Sequence, residues 1–215
     1  MGVELRYEMV KRGFYPFGAG KIIIDINKFN GLKPIVLPER GKIKSINVYT
    51  IYTNPDHASF HKNLVNNVKE KYGEYFKDEL SEYIDKTYQK GKRAKHLASY
   101  IIVTSESGSI QKVESFWNIK ESFKSGIAME QILKALNEVI KNDKVSIDEH
   151  HADQLLVFMA LANGESLITV KELSLHFQTM CYLLPIFLND VKIDINKKEG
   201  DYYEVRVKGI EYKPE

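Results

Sequence analysis

The sequence has little of what marks secreted, membrane-spanning or highly basic proteins. Its 215 residues contain a single cysteine, Cys181, so no disulfide can form within the chain, which favours a reducing, cytoplasmic location. No apolar run approaches the roughly 20 residues that a membrane-spanning helix needs, so a membrane is not expected as a partner. The 31 basic and 29 acidic residues leave a net charge of +2, so any contact with nucleic acid must come from a local patch.

The composition is that of an ordinary globular protein. Apolar residues make up 43% of the chain and charged residues 28%, both near the average for folded domains. A chain of 215 residues can bury a substantial core in one large domain or two small ones. We find neither a low-complexity tract nor an exact internal repeat.

The first 53 residues carry strand patterns. Apolar alternation predicts strands at 3–10 and 21–26, joined by a turn-rich segment. The segment 34–41 contains two prolines and is typical of a linker. The β-branched and aromatic residues of 46–53 predict a third strand.

The middle of the chain has the pattern of a small α/β domain. Helical spacing across 57–89 predicts two helices separated at Gly73, and a strand is predicted at 100–103. We therefore expect an inserted α/β domain at 43–110. The remainder, 1–42 and 111–215, is expected to form the main body.

The last third alternates between helices and strands. Asp148 is a good N-cap for one predicted helix, and Asn163-Gly164 is a good end for it. The predicted helices are 127–141, 149–162 and a short one near 179–188, and the predicted strands are 166–170, 173–177, 190–196 and 202–208.

The segment 148–154 is the richest in chemistry. His150, Asp153 and Gln154 lie at i, i+3 and i+4, so they share one helix face. A helix N-terminus offers unpaired N–H groups and a positive dipole end to a phosphate, and Asp153 is suited to a divalent metal bound to that phosphate. The alternative is that the acidic residues only complement the dipole and that the histidines are solvated.

His176 is a candidate nucleophile in the alternating segment 173–177. A neutral imidazole nitrogen attacks phosphorus without a strong base to activate it. A lone histidine on a strand is, however, more often a hydrogen-bonded structural residue.

Three other groups of residues have a functional and a structural interpretation. His57 and His61 have the i, i+4 spacing of a metal pair, but no third ligand is indicated. A basic run is either a contact for RNA phosphates or a solvated loop, and three aromatic residues either stack on a base or pack in the core. The basic residues are Lys90, Lys92, Arg93 and Lys95, and the aromatic residues are Phe116, Trp117 and Phe123.

Three motifs, in order, resemble one known family. RGFYPFGAGKI (12–22) resembles RGFYPxGGGxV, DEHHADQLLVFMALANG (148–164) resembles DEHLADQLLLPLALAGG, and LSLHFQT (173–179) resembles an HLLTN region. All three are signatures of the RNA 3'-terminal phosphate cyclase family. Ala19 in place of a glycine, His150-His151 at the helix start and FQTM in place of LLTN depart from the family pattern.

The resemblance implies an α/β (α+β) fold of tandem βαβα-ββ units with a small inserted α/β domain. It implies an ATP-dependent enzyme that converts an RNA 3'-terminal phosphate to a 2',3'-cyclic phosphate through a covalent histidine–AMP intermediate. His176 matches the nucleophile. The nucleotide-binding helix start maps onto His150, His151, Ala152, Asp153 and Gln154, with Phe123 expected to stack on adenine and Asp153 to reach a Mg or Mn ion.

The resemblance also implies that the chain corresponds to the C-terminal two-thirds of a family member. The Gly-rich EGGGQ-type segment of the family's N-terminal portion is not found, so a separate N-terminal segment that completes the site is an expected partner. A homo-oligomer is the other expected partner. Two alternatives remain open at this point. One is a non-catalytic relative in RNA binding or ribosome assembly, and the other is an RNA- or nucleotide-binding module without chemistry.

Overall fold

The computed structural model describes residues 1–13, 20–84, 96–117 and 124–213. In chain order its elements are β1 (Leu5–Lys11), β2 (Lys21–Ile26), β3 (Val36–Leu37), β4 (Ile43–Tyr52), α1 (Ala58–Tyr72), β5 (Phe76–Tyr83), β6 (Leu97–Ser105), β7 (Ile110–Trp117), α2 (Ser125–Lys141), α3 (Glu149–Leu161), β8 (Glu165–Val170), α4 (Leu175–Phe187), β9 (Lys192–Lys198) and β10 (Tyr202–Lys208). The mixture of helices and sheets confirms the predicted α/β class. No helix within these described ranges has both the length and the apolar character to cross a membrane.

The chain forms two compact units. One combines Met1–Gly41 with Lys144–Glu215, and the other is Lys42–Asp143. The second unit begins where the insert of 43–110 was predicted to begin, but it extends further, to include β7 and α2. The reason is that β7 pairs with β6 from Ile110 to Trp117 and that α2 contributes buried side chains to the core of this unit.

The first unit is built on a four-stranded sheet in the order β3-β8-β10-β9. β3 runs parallel to β8, and the other neighbours are antiparallel. With the second unit set aside, the chain order β3-α3-β8-α4-β9-β10 is one βαβα-ββ arrangement. Buried side chains of the sheet and of both helices form its core, and they include Leu156, Met159, Ile168, Phe177 and Val205.

The segment predicted as a linker, 34–41, contains a strand. Val36 pairs with Leu167 and Leu37 with Ile168, and Ser166 Oγ accepts a hydrogen bond from the Ile35 amide at 3.2 Å. The prediction of a linker was wrong because the prolines that flank β3 suggested a loop, whereas a two-residue strand gives almost no periodic signal.

A separate antiparallel ribbon, β1–β2, confirms the predicted pair of strands at the N-terminus. Leu5 pairs with Ile26, Tyr7 with Ile24 and Met9 with Ile22. Alternation puts these apolar residues on one face of the ribbon, and all six are exposed. Residues 14–19 of the turn-rich segment lie outside the described residues.

The second unit has the sheet order β5-β4-β6-β7, in which only β4 and β5 are parallel. The helices pack their apolar stripes on its core, with Leu64 and Val68 from α1 and Ile132 and Leu136 from α2 among the buried residues. The i, i+4 spacing of these residues is the reason that the sequence forms amphipathic helices here.

The second of the two helices predicted within 57–89 is a strand instead. α1 ends at Tyr72, followed by Gly73, and Phe76–Tyr83 forms β5. β5 is an edge strand that is largely exposed on both faces, so its apolar residues do not alternate cleanly. The chance spacing of Tyr75, Leu80 and Ile84 imitated a helix, and tertiary pairing with β4 overrode it.

His61 lies in a buried polar chain within the second unit. Its Nδ1 is 3.0 Å from Thr50 Oγ1, which is 2.7 Å from Ser99 Oγ. Burial lowers the pKa of His61, and Lys69 adds to that effect, while Glu79 opposes it. The lowered pKa favours the neutral ring in the folded protein.

The free energy of unfolding should therefore fall as the pH is lowered from 7 to 5. Unfolded His61 takes up a proton near its ordinary pKa of about 6.5, whereas the folded ring resists it, so stability is lost as the pH falls through that value and levels off below the folded pKa. His61→Asn keeps a polar group for Thr50 but cannot titrate, so its urea midpoint should depend less on pH. Parallel losses in both proteins would show that other groups dominate.

Candidate active site

The start of α3 is capped as predicted. Asp148 has extended backbone (φ −72°, ψ 162°), and its Oδ1 accepts a hydrogen bond from the His151 amide at 3.0 Å. Its Oδ2 lies 2.6 Å from His151 Nδ1. One carboxylate thus satisfies an N–H of the first turn and holds the His151 ring.

The residues before Asp148 bind this helix start to the sheet. The amides of Ser146 and Ile147 lie 3.0 and 3.1 Å from the carbonyl oxygen of Thr169, near the end of β8. Ser146 Oγ accepts from the Thr169 amide at 3.0 Å. Both Ser146 and Thr169 are almost completely buried, so the N-terminus of α3 has a defined place at the carboxyl end of β8.

Asp153 points to the start of the next helix. Only 9% of the residue is exposed. Its Oδ2 accepts a hydrogen bond from Ser174 Oγ at 3.1 Å, and its Oδ1 accepts from Gln154 Nε2 at 3.0 Å. The contact with Ser174 joins residues that are far apart in sequence and brings the two helix starts together.

His176 is on a helix, so the predicted strand at 173–177 was wrong. Ser174 is the N-cap of α4 (φ −58°, ψ 157°), and its Oγ accepts from the Phe177 amide at 3.0 Å. The alternation of Leu173, Leu175 and Phe177 imitated a strand, but Leu175 is 78% exposed while Phe177 is buried. A serine directly before apolar residues with helical spacing was the signal that could have revealed this helix start.

The first turn of α4 therefore carries the candidate nucleophile. His176 is the second residue of the helix, and it is exposed. Gln178 Nε2 donates to the Leu173 carbonyl oxygen at 2.9 Å, which ties this turn to the residue before the cap. Because the first four N–H groups of a helix have no intrahelical partner and the dipole is positive there, an anion near His176 would be stabilised.

The predicted nucleotide-binding residues of α3 do not share one environment. His150 is exposed, with Nε2 3.7 Å from Glu149 Oε1. Ala152 is buried in the core, and its amide is bonded to the Asp148 carbonyl oxygen. His151 and Asp153 lie two positions apart and so point in different directions, with His151 on Asp148 and Asp153 on Ser174.

Other predicted residues lie elsewhere or outside the described residues. Phe123 and the basic run 90–95 lie outside the described residues, as does the side chain of Trp117. Phe116 lies on β7 with its ring centroid 6.4 Å from that of His96. His57 and His61 belong to the second unit.

The side chains around Asp153 do not form a metal cage. Across residues 1–13, 20–84, 96–117 and 124–213, no three His, Cys, Asp or Glu side chains come together as a metal site. Both oxygens of Asp153 already accept hydrogen bonds from protein groups. The donor set therefore does not fit a resident metal, and we derive no chemical step through one.

Sequence comparison decides the family. The family model described as RNA 3'-terminal phosphate cyclase matches residues 1–195. The chain belongs to the RNA 3'-terminal phosphate cyclase family. Among curated proteins of that name, the chain is 30% identical to the one from Caldivirga maquilingensis over 192 residues, 26% identical to the one from Desulfurococcus amylolyticus over 220, and 28% identical to the one from Pyrobaculum aerophilum over 217.

The chain is shorter than these relatives. The matches include 88%, 100% and 98% of this chain but only 52%, 60% and 58% of the respective relatives. The chain thus spans little more than half the length of the curated relatives it matches. The predicted absence of the family's N-terminal portion is not tested by these shares and stays a prediction.

The cap at Asp148 leads to a stability prediction. Asp148→Ala should lower the free energy of unfolding by about 1 kcal/mol, because the first turn of α3 loses its side-chain acceptor. Asp148→Asn keeps an oxygen for the His151 amide and should lose less than half of that. Urea denaturation of the three proteins at pH 7 measures both effects. Equal losses would show that the contact with the His151 ring, rather than the cap, carries the stability.

Proposed function

We propose that the chain carries the nucleophile of an RNA 3'-terminal phosphate cyclase and that this nucleophile is His176. The observation that supports the proposal most is the hydrogen bond between Asp153 and Ser174. It brings the start of α4, with His176 exposed in its first turn, to the start of α3. Two helix N-termini that meet in this way form a surface suited to the phosphates of a nucleotide.

The first step is the transfer of AMP to the histidine. A ring nitrogen of His176 attacks the α-phosphorus of ATP, a P–N bond forms, and the bond to the bridging oxygen breaks, so that pyrophosphate leaves. A neutral imidazole provides the electron pair. The N–H groups of the two first turns favour the negative charge that spreads over the phosphoryl oxygens.

Two further transfers complete the reaction. An oxygen of the RNA 3'-phosphate attacks the phosphorus of the histidine–AMP, which forms a phosphoanhydride and frees the imidazole. The neighbouring 2'-hydroxyl then attacks the RNA phosphorus and loses its proton, and AMP leaves. The products are the 2',3'-cyclic end and AMP.

The other residues in the proposal have supporting parts. We assign His150 and Gln154, both exposed at the start of α3, to polar contact with the nucleotide, and Phe123 to stacking on adenine. His151 and Ala152 contribute through the capped turn in which they lie. A Mg or Mn ion carried by the ATP phosphates remains part of the proposal implied by the family, as does a cytoplasmic location. Asp153, which the sequence suggested as the protein ligand of that ion, is not assigned to it, because both of its oxygens accept hydrogen bonds from the protein.

The proposal predicts covalent labelling of His176. ATP with a radiolabel on the α-phosphate should label the chain, and ATP with a label on the γ-phosphate should not, since pyrophosphate carries the outer phosphates away. A phosphoramidate is lost in acid and survives alkali, which distinguishes it from a serine ester. His176→Ala should abolish the label, whereas His150→Ala should only reduce it, because loss of a binding residue leaves the nucleophile in place.

Peptide mapping of the labelled protein provides the decisive control. A label that persists in His176→Ala, or that maps to another residue, would contradict the assignment of the nucleophile. A folded chain that binds ATP and takes no α-label would favour the non-catalytic relative.

A further inference from the structure

We propose that Asp153 acts as a positioning residue for His176 through the hydroxyl of Ser174. This inference rests on the proposed function. It differs from the metal-ligand role expected from the sequence, since the carboxylate would act on the protein's own nucleophile-bearing helix and not on an ion.

Two hydrogen bonds link the start of α4 to Asp153 through the Ser174 hydroxyl, which accepts one and donates the other. The Phe177 amide donates to Ser174 Oγ at 3.0 Å, and Ser174 Oγ donates to Asp153 Oδ2 at 3.1 Å. A hydroxyl can rotate, and its lone pair caps the helix only when its hydrogen points elsewhere. The carboxylate takes that hydrogen, so the Ser174 lone pair is held towards the Phe177 amide.

Burial makes this arrangement specific. Asp153 is 9% exposed, so water competes poorly for its oxygens, and a charged acceptor gives a stronger hydrogen bond than a neutral one. Gln154 Nε2 occupies Oδ1 and leaves Oδ2 to Ser174. His176 lies between the cap and Phe177, so its backbone position is determined by the same bonds.

The surroundings of Asp153 favour this role over metal binding. Its two described hydrogen-bond donors come from the protein, and no group of three His, Cys, Asp or Glu side chains that could hold a metal ion is found among the described residues. The side chain is aimed at the start of α4, two residues before His176. A positioning role is consistent with both hydrogen bonds, whereas an Asp153 that bound a metal would have to weaken or lose at least one of them.

Four substitutions separate the two roles. Asp153→Ala and Ser174→Ala each break the chain of bonds. Asp153→Asn keeps an oxygen for the Ser174 hydroxyl but removes the charge that a metal needs. The exposed side-chain amide of Gln154 can rotate so that its oxygen accepts a hydrogen bond from the new amide at position 153. Ser174→Thr keeps the hydroxyl. Ser59→Ala, which removes a first-turn hydroxyl from α1 in the other unit, is the matched control.

The measurement is single-turnover labelling of His176 by α-labelled ATP in the 215-residue chain, at several ATP concentrations. Asp153→Ala and Ser174→Ala should slow labelling at saturating ATP by about tenfold or more, because displacement of a reacting group by about 1 Å is sufficient for such a loss. The ATP concentration for half-maximal rate should change by less than about threefold, since positioning acts on the reacting state rather than on binding. Asp153→Asn, Ser174→Thr and Ser59→Ala should remain within about threefold of the parent rate.

Amide exchange at Phe177, followed by NMR, gives a readout that does not depend on catalysis. Exchange should accelerate in Asp153→Ala and Ser174→Ala, because the Phe177 amide loses an ordered acceptor. It should stay slow in the two conservative variants and in the control. Thermal midpoints of all variants show whether each one is folded under the assay conditions.

Three results would overturn the inference. One is that Asp153→Asn labels as slowly as Asp153→Ala and needs a higher ATP concentration for its half-maximal rate. That result would make the carboxylate a ligand of the nucleotide or its metal. Another is unchanged Phe177 exchange in Asp153→Ala. The third is accelerated exchange with a normal labelling rate. A parent chain that takes no label while exchange follows the expected pattern would overturn the proposed function and leave the link between the helix starts supported.

Discussion

The candidate site depends on the central position of β8 in the sheet of the first unit. β8 has β3 on one side and β10 on the other, and α3 precedes it while α4 follows it. A helix that enters a strand and a helix that leaves it both place their N-termini near the strand's carboxyl end when they run antiparallel to it. Ligands in α/β sheets commonly bind at this end of the strands, so the meeting of the two helix starts follows from the chain order.

Buried polar residues convert that general placement into a defined one. Ser146 and Thr169 are almost fully buried, and their side chains and backbones bond to each other. A buried polar group without a hydrogen-bond partner costs free energy, so the arrangement in which Ser146 and Thr169 bond to each other is strongly preferred over alternative positions of the chain. Asp148 follows directly after the residues fixed in this way. The hydrogen bonds to the end of β8 therefore determine the position of the cap of α3.

Local sequence patterns were enough to predict the helices and strands that have clear capping residues or strong periodicity. The cap at Asp148, the helix that became α2 and the closing strand pair are marked by capping residues and by strong periodicity, and the structure has all of them. The family motifs predicted the residues of the candidate site. Where the chain is exposed, the patterns failed, because β5 and the first turn of α4 each have apolar residues that face solvent.

The contact between Asp153 and Ser174 could not be predicted in this way. The two residues are separated by the end of α3, the whole of β8 and the turn after it, so no period of the sequence relates them. Each side chain had an adequate local explanation, Asp153 as an acidic residue near the start of a helix and Ser174 as one position in an apparent strand. Only the tertiary arrangement shows that one side chain completes the hydrogen bonding of the other.

The proposed chemistry suits a site in which the positioning residue, Asp153, is buried and the candidate nucleophile, His176, is exposed. A histidine that first receives AMP from ATP and then passes it to RNA must meet two substrates of very different size at one nitrogen. A closed pocket would exclude the second of them, so an exposed position in the first turn of a helix suits the task. Exposure alone would leave the imidazole poorly placed, and misplaced groups lose much of their reactivity. The cap of α4, bonded to a buried carboxylate on α3, orders the backbone that carries His176 while its ring stays accessible.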